Sequence, residues 1–417
     1  MDVPERAIVT LSLGQLEGTR QEGVALFKGV PFAASPVGER RWQQPQPVGP
    51  WKGVLRADRF GMTAPQNPML GGPGSQAEPE PQGEDCLYLN IWSPGLDDKR
   101  RPVMVWIHGG AFSIGSGSSP MYEGSVLARR NDVVVVTLNY RLNLLGFLNL
   151  REATGGRIPA TGNEGILDQV AALGWIQEHI SAFGGDPHNR TIMGESAGSM
   201  SIAGLLTMPA AKGLYHKAIL ESGVGNTAVS LDKAAEVGRL FLEVTGISSD
   251  DVDALYGLTV EQLLAAETEL RKRLASPWEP MRITVTAPVI DGEIIPQTPT
   301  HAIAAGVAKG IPMIIGTNLE EWKLFVVGEL HTEKLDRAQI VQRLSHFIPS
   351  QYAAEIVERY YRARARRGDD TSPLEILSAI STDLMFRMPA LQMAEAQQKH
   401  NPDVFNYLFT YKSPVFG

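Results

Sequence analysis

Cysteine is nearly absent from this sequence. Cys86 is the single one in 417 residues, so no intrachain disulfide can form and a reducing compartment is expected. Positive charge is in short supply too. Lys and Arg number 38 against 46 Asp and Glu, a net charge of −8, which leaves no excess to neutralise phosphates and argues against nucleic acid as a partner. No apolar run reaches the ~18 residues that span a bilayer. The opening Met1-Asp2-Val3-Pro4-Glu5-Arg6 lacks the basic-then-apolar pattern of a secretory leader. These absences together predict a cytoplasmic protein without a membrane partner. What remains is a globular balance, 43% hydrophobic and 20% charged, with ample material for a core.

The chain reads as strands alternating with helices. Residues 11–60 suggest short strands and turns. Pro65 to Gly83, with Gly71-Gly72-Pro73-Gly74 at its centre, reads as a long surface loop. Glu84 to Trp92 alternates as a half-buried strand does. Val103 to Ile107 and Val133 to Leu138 are continuous β-branched runs, the pattern of parallel strands covered on both faces. Further strands are expected at Arg190 to Met193, Ala218 to Glu221, Pro312 to Ile315 and Val404 to Phe409, and a helix from Gly165 to His179. This predicts an α/β fold with a mostly parallel central sheet and helices on both faces. Helical patterns without a convincing strand, at about 228–285 and 322–400, are read as cap insertions over the carboxyl edge of the sheet, within a single catalytic domain spanning 1–417. The basic run Arg359 to Arg367, ending at Gly368, reads as a solvated helix end.

One stretch carries chemistry. Gly194-Glu195-Ser196-Ala197-Gly198 follows a short strand and opens a small-residue helix. Gly-x-Ser-x-Gly in that context is the nucleophile elbow of α/β-hydrolases, a serine pushed out of the sheet on a strained turn. The helix starting after Ser196 would aim free N–H groups at an oxyanion. Upstream, the strand Val103 to Ile107 runs into His108-Gly109-Gly110-Ala111-Phe112, a glycine turn suited to the other half of an oxyanion hole. A serine needs a histidine base, and the histidine an orienting carboxylate. The chain order in this fold is serine, acid, histidine, and Ile311 to Glu321 supplies a late strand, a turn and two carboxylates, Glu320 and Glu321.

With these residues in view, the sequence resembles the type-B carboxylesterases, the family that includes the cholinesterases, and most of all their bacterial para-nitrobenzyl-esterase branch. The resemblance runs through Phe27-Lys28-Gly29-Val30-Pro31-Phe32, Glu84-Asp85-Cys86-Leu87-Tyr88-Leu89-Asn90, Trp106 to Gly110, Asn139-Tyr140-Arg141, Gly162-Asn163, Asp168-Gln169, Phe183-Gly184-Gly185-Asp186-Pro187 and the elbow. It implies a serine ester hydrolase with Ser196 as nucleophile, Glu321 rather than Glu320 as triad acid, oxyanion-hole N–H groups from Gly110, Ala111 and Ala197, and Ser222 near the acid. It implies no cofactor and no metal.

Three departures stand out. The family's disulfide partner of Cys86 is replaced by Ala64. Gly61 to Asp85 holds no tryptophan, where cholinesterases keep the one that binds a quaternary ammonium, so small to medium uncharged esters are expected as substrates. The catalytic histidine, which in the family follows the strand matching Val404 to Phe409, is not reached before Gly417. None of His108, His179, His188, His216, His301, His331, His346 and His400 fits the expected order. The expectation is a C-terminal truncation, with the remainder of its own chain as partner. Two other readings stand beside the esterase: a non-catalytic binding member of the fold, and, on the weak match Gly223-Val224-Gly225-Asn226-Thr227-Ala228, a nucleotide-dependent dehydrogenase.

Overall fold

The structure is a computed structural model and describes residues 5–68, 80–224, 228–274, 285, 287–326 and 335–412. It begins with antiparallel strands β1 (Glu5–Leu11), β2 (Gly14–Gln21) and β3 (Val24–Pro31), with β4 (Val54–Arg56) beside β2. Glu22 and Gly23, both at positive φ, close the β2–β3 hairpin in two residues, the turn whose twist matches the flanking strands. β5 (Tyr88–Ser93), β6 (Arg101–Ile107), β7 (Val134–Leu138), β8 (Gly185–Glu195), β9 (Lys217–Glu221), β12 (Met313–Asn318) and β13 (Val404–Phe409) complete the sheet. Its order is β1-β2-β3-β5-β7-β6-β8-β9-β12-β13, and every pairing from β7 to β13 is parallel.

The runs read as buried strands are buried because both faces carry helices. On one face Val103, Val105, Val134 and Val136 pack with residues of α3 (Glu164–His179), α4 (Ala197–Leu205) and α13 (Met388–Gln398). On the other, Trp92 and Val135 pack against Ala128 of α1 (Ser125–Asn131). That second packing corrects the expected half-burial of Glu84 to Trp92: β5 starts only at Tyr88 and is buried on both faces after it. β8 likewise starts five residues earlier than expected, because Gly185 pairs with Arg101 at the start of β6.

After β9 come α5 (Leu231–Thr245), α6 (Val252–Tyr256) and α7 (Val260–Leu274), which share a small core with Trp42 and α2 (Asn143–Phe147). This stretch is not purely helical. β10 (Val229–Ser230) and β11 (Val289–Ile290) form a two-stranded parallel ribbon, tied to the body by Asn163, whose amide bonds both the N–H and the carbonyl of Val289 (2.8 and 2.9 Å). Then α8 (Pro299–Ala304) leads into β12. Beyond it, α9 (Lys323–Val326), α10 (Arg337–Leu344), α11 (Ser350–Arg367) and α12 (Pro373–Thr382) precede a π-helical turn at Asp383–Arg387. α10, α11 and α12 form their own cluster, whereas α13, also inside the span read as cap, packs on the main sheet. Gly368 caps α11 at φ 75°.

β7 lies on one side of β6 and β8 on the other. The crevice at the carboxyl ends of β6 and β8 is therefore the place where the strand order reverses, the usual ligand site of an open α/β sheet.

Candidate active site

β8 ends at Glu195 and α4 starts at Ala197, so Ser196 alone makes the reversal, at φ 52° and ψ −122°. A side chain held in so sparse a region stores about 1–3 kcal/mol. The neighbours hold it there: its N–H donates to the Glu221 carbonyl of β9 (2.9 Å), and its own carbonyl accepts from Met200 (2.9 Å). The glycines of the motif are there for room. A Cβ on Gly194 would sit 2.7 Å from the Ile107 carbonyl oxygen, and one on Gly198 only 2.0 Å from the same atom. The end of β6 thus runs in contact with both sides of the elbow.

That contact brings the glycine turn to the serine. A Cβ on Gly109 would lie 3.1 Å from Ser196 Cβ. Gly110, Ala111 and Phe112 follow at φ 110°, 53° and 58°, three left-handed residues in a row. The Gly110 carbonyl accepts from both Ser113 and Ile114 (3.0 Å each). Asn143 holds the outside of the turn, its N–H on the Phe112 carbonyl (2.9 Å) and its amide on the Ser113 carbonyl (2.8 Å). Among the described residues the N–H groups of Gly110 and Ala111 have no protein acceptor. Ala197 opens α4, where a helix has no internal acceptor for its first N–H groups.

His108 lies beneath this loop. Its ring stacks on Tyr140 (4.4 Å between centroids), Nδ1 sits 2.8 Å from the Gly109 carbonyl, and the Tyr140 hydroxyl donates to the His108 carbonyl (2.9 Å). Burial pushes the imidazole down to about 4, so it is neutral at neutral pH.

The two candidate acids part ways after β12. Glu320 pairs with Lys323 (2.9 Å), which also meets Glu375 (3.3 Å). Glu321 accepts from the Asn318 N–H (2.6 Å) and side-chain amide (3.1 Å). That amide also reaches Ser222 Oγ (3.4 Å), so Ser222 touches the residue that holds the carboxylate. Glu321 and the elbow share a field: burial, then Glu321 and Glu221, push the Glu195 carboxyl up to about 7. Tyr407 on β13 joins them. It pairs in register with Gly316, and a Cβ there would lie 2.2 Å from the tyrosine ring. Burial, then Glu221, Glu321 and Glu195, push the phenol up to about 12.

Asn318, Glu195 and Tyr407 were not singled out as site residues by their sequence, although Glu195 stands inside the motif itself. Only pairing between strands far apart in the chain brings them together. Among the described histidines none is hydrogen-bonded to Ser196, Glu320 or Glu321. His179 packs on Trp175, His216 accepts from the Arg190 N–H, and His346 and His400 meet the carbonyls of Gln342 and Ala304. His331 lies outside the described residues. Among the described residues no cluster of His, Cys, Asp and Glu could hold a metal ion, and no helix is long and apolar enough to cross a membrane. Cys86 is free and buried.

The model of the carboxylesterase family matches residues 5–416. The para-nitrobenzyl esterase of Bacillus subtilis is 42% identical over 98% of this chain and 80% of its own length. The phenmedipham hydrolase of Pseudarthrobacter oxydans is 34% identical over 98% of this chain and 79% of its own. Among solved structures, a carboxylesterase of Geobacillus stearothermophilus superposes with a TM-score of 0.85 at 40% identity, covering 99% of this chain and 81% of that one. These comparisons support neither a dehydrogenase nor a binding-only protein. Gly223, the first glycine of the dinucleotide-like match, packs on the elbow, where a Cβ would sit 2.5 Å from the Ser196 carbonyl oxygen. Residues 225–227 of that match lie outside the described residues.

Proposed function

Because the chain belongs to the carboxylesterase family and is a serine carboxylesterase, we propose that it cleaves small to medium uncharged esters through an acyl-enzyme on Ser196. Ser196 Oγ attacks the ester carbonyl, the alcohol leaves, and water releases the acid. The developing oxyanion is received by the N–H groups of Gly110, Ala111 and Ala197. Glu321, with Ser222 behind it through Asn318, orients the base. The base itself is a histidine, which the chain order of the fold places after β13. The observation that carries this reading is the strained Ser196 lying against the Gly109 turn.

An uncharged substrate is supported by the apolar character of the segment that follows the acid. Trp322 and Val326, directly after Glu321, pack with Phe386. Trp322 also walls a mostly apolar groove with Ile340, Leu344, Phe347, Leu377 and Ile380, in which Arg343 is the one charged side chain. Residue 327, the end of that apolar segment, lies outside the described residues. We further read residues 1–417 as one catalytic domain in which the helices at about 228–285 and 322–400 shape the pocket, acting in the cytoplasm without nucleic-acid or membrane partners. The test is to compare neutral and choline esters of equal acyl length in the natural enzyme and its Ser196→Ala variant. Neutral esters should be preferred and Ser196→Ala should be inactive. A strong preference for choline esters would overturn the substrate assignment, and an active variant would overturn the nucleophile.

A further inference from the structure

The three left-handed residues of the oxyanion loop need external support, and one support comes from outside the sheet. Gln66 brackets the far end of the loop, its amide bonding both the N–H and the carbonyl of Gly115 (2.8 and 3.1 Å). Asn143 holds the middle. The third support is a helix of the first insertion. On α7, the buried carboxylate of Glu267 accepts two hydrogen bonds from Arg271 (3.0 and 2.6 Å). Arg271 Nη2 reaches across to Ser113 Oγ (2.5 Å), and that hydroxyl donates to the Ala111 carbonyl (3.1 Å). Asn67 ties the same carboxylate and the Leu264 carbonyl of α7 to the loop after Pro65 (3.5 and 3.2 Å).

We propose that Glu267, Arg271 and Ser113 form a strut by which the insertion holds Ala111 left-handed, making them positioning residues for the oxyanion hole. The inference rests on the assignment of Ser196 and of the Ala111 N–H given above. The physical argument is one of placement. Ala111 in the left-handed region costs free energy, so the loop relaxes unless its surroundings over-determine it. A donor that has relaxed by a fraction of an ångström is still present, but no longer aimed at the oxyanion. The loss therefore falls on the transition state and not on substrate binding.

The experiment measures kcat, KM and the affinity of a trifluoromethyl ketone, whose hemiketal oxygen imitates the oxyanion. The variants are Arg271→Met, Ser113→Ala and the double variant of the natural enzyme. Direct loss of one oxyanion donor costs 10²–10³ in kcat, so displacement should cost about 10-fold. We expect that loss in kcat for each single variant, with KM within about twofold and the ketone affinity falling in parallel with kcat. The double variant should be no worse than either, because both cut the same strut. Arg273→Met, which breaks only an exposed pair with Glu269, should be unchanged. Effects that multiply in the double variant, or a raised KM with unaltered ketone affinity, would overturn the strut. Fluorophosphonate labelling separates the two readings: a label off Ser196 defeats the nucleophile assignment, whereas a label on Ser196 at the wild-type rate in Arg271→Met defeats only the strut.

Discussion

Gly198→Ala adds one methyl group to the elbow and should disable the enzyme. The added Cβ would stand 2.0 Å from the Ile107 carbonyl oxygen, 2.9 Å from its carbon and 3.0 Å from the His108 carbonyl oxygen. All three atoms are backbone, so no side chain can swing aside. Reaching an ordinary contact of about 3.4 Å requires the end of β6 and the start of α4 to separate by more than 1 Å. On the proposed assignment, those segments carry the oxyanion loop and the nucleophile. Overpacking of this kind costs about 1–3 kcal/mol in stability, and a displacement near 1 Å between reacting groups costs about 10²-fold in rate. The comparison is Gly204→Ala on the same helix, where the nearest atom to a new Cβ is the flexible end of Ile295 at 3.8 Å. That variant should keep its activity and gain up to about 1 kcal/mol from helix propensity. The assay is kcat/KM on a para-nitrophenyl ester beside thermal unfolding of both variants. A Gly198→Ala enzyme within twofold of wild type, with an unchanged melting temperature, would refute the close-packing argument.

Three further outcomes follow from other contacts. Glu321→Gln should lower kcat by about 10⁴-fold, the cost seen when a triad acid is amidated. Glu320→Gln, which loses a half-exposed pair with Lys323, should stay within a fewfold, and the reverse ranking in turnover would contradict the choice between the two acids. Asp168→Ala should destabilise by about 3–5 kcal/mol, because the Arg141 guanidinium and N–H, bonded to it at 2.7–3.0 Å in a fully buried pair, would be left uncompensated; thermal unfolding reads the loss. His108 is neutral when folded, with its pKa at about 4 against an ordinary 6.5. The unfolded chain therefore binds the extra proton first, and the His108 contribution falls as pH drops from about 6.5 to 4. Glu195, raised to about 7, acts in the opposite sense between 4.5 and 7. The difference in melting temperature between wild type and His108→Gln, followed against pH, isolates the histidine, and a difference independent of pH would contradict the assignment.

The strand-turn-helix of the elbow and the glycine turn beside it were legible in the sequence because each depends on residues that cannot be exchanged. Gly194, Gly198 and Gly109 are fixed by backbone atoms within 3 Å of where a side chain would start. Less visible was that much of the quoted family pattern is scaffolding around the site. Arg41 clamps Glu84 and reaches the carbonyls of Tyr256 and Leu258, Arg141 and Asp168 pair in the core, and Gln169 bonds Ser201 (3.0 Å). These residue types announce a buried polar network, but not its partners. The ribbon of β10 and β11 escaped notice because two-residue strands separated by some 60 positions leave no periodic signal. The field around Glu195 was hidden for a related reason. It arises from Glu221 and Glu321, which approach only once β8, β9 and β12 lie side by side.

The central claim is that Ser196 is the nucleophile, and active-site labelling tests it most directly. The natural enzyme is treated with a fluorophosphonate, digested, and its peptides sequenced by mass spectrometry. The account predicts one adduct per chain, on Ser196, formed in step with loss of ester hydrolysis and missing from Ser196→Ala. An adduct on another serine, or full inactivation with Ser196 unmodified, would contradict it.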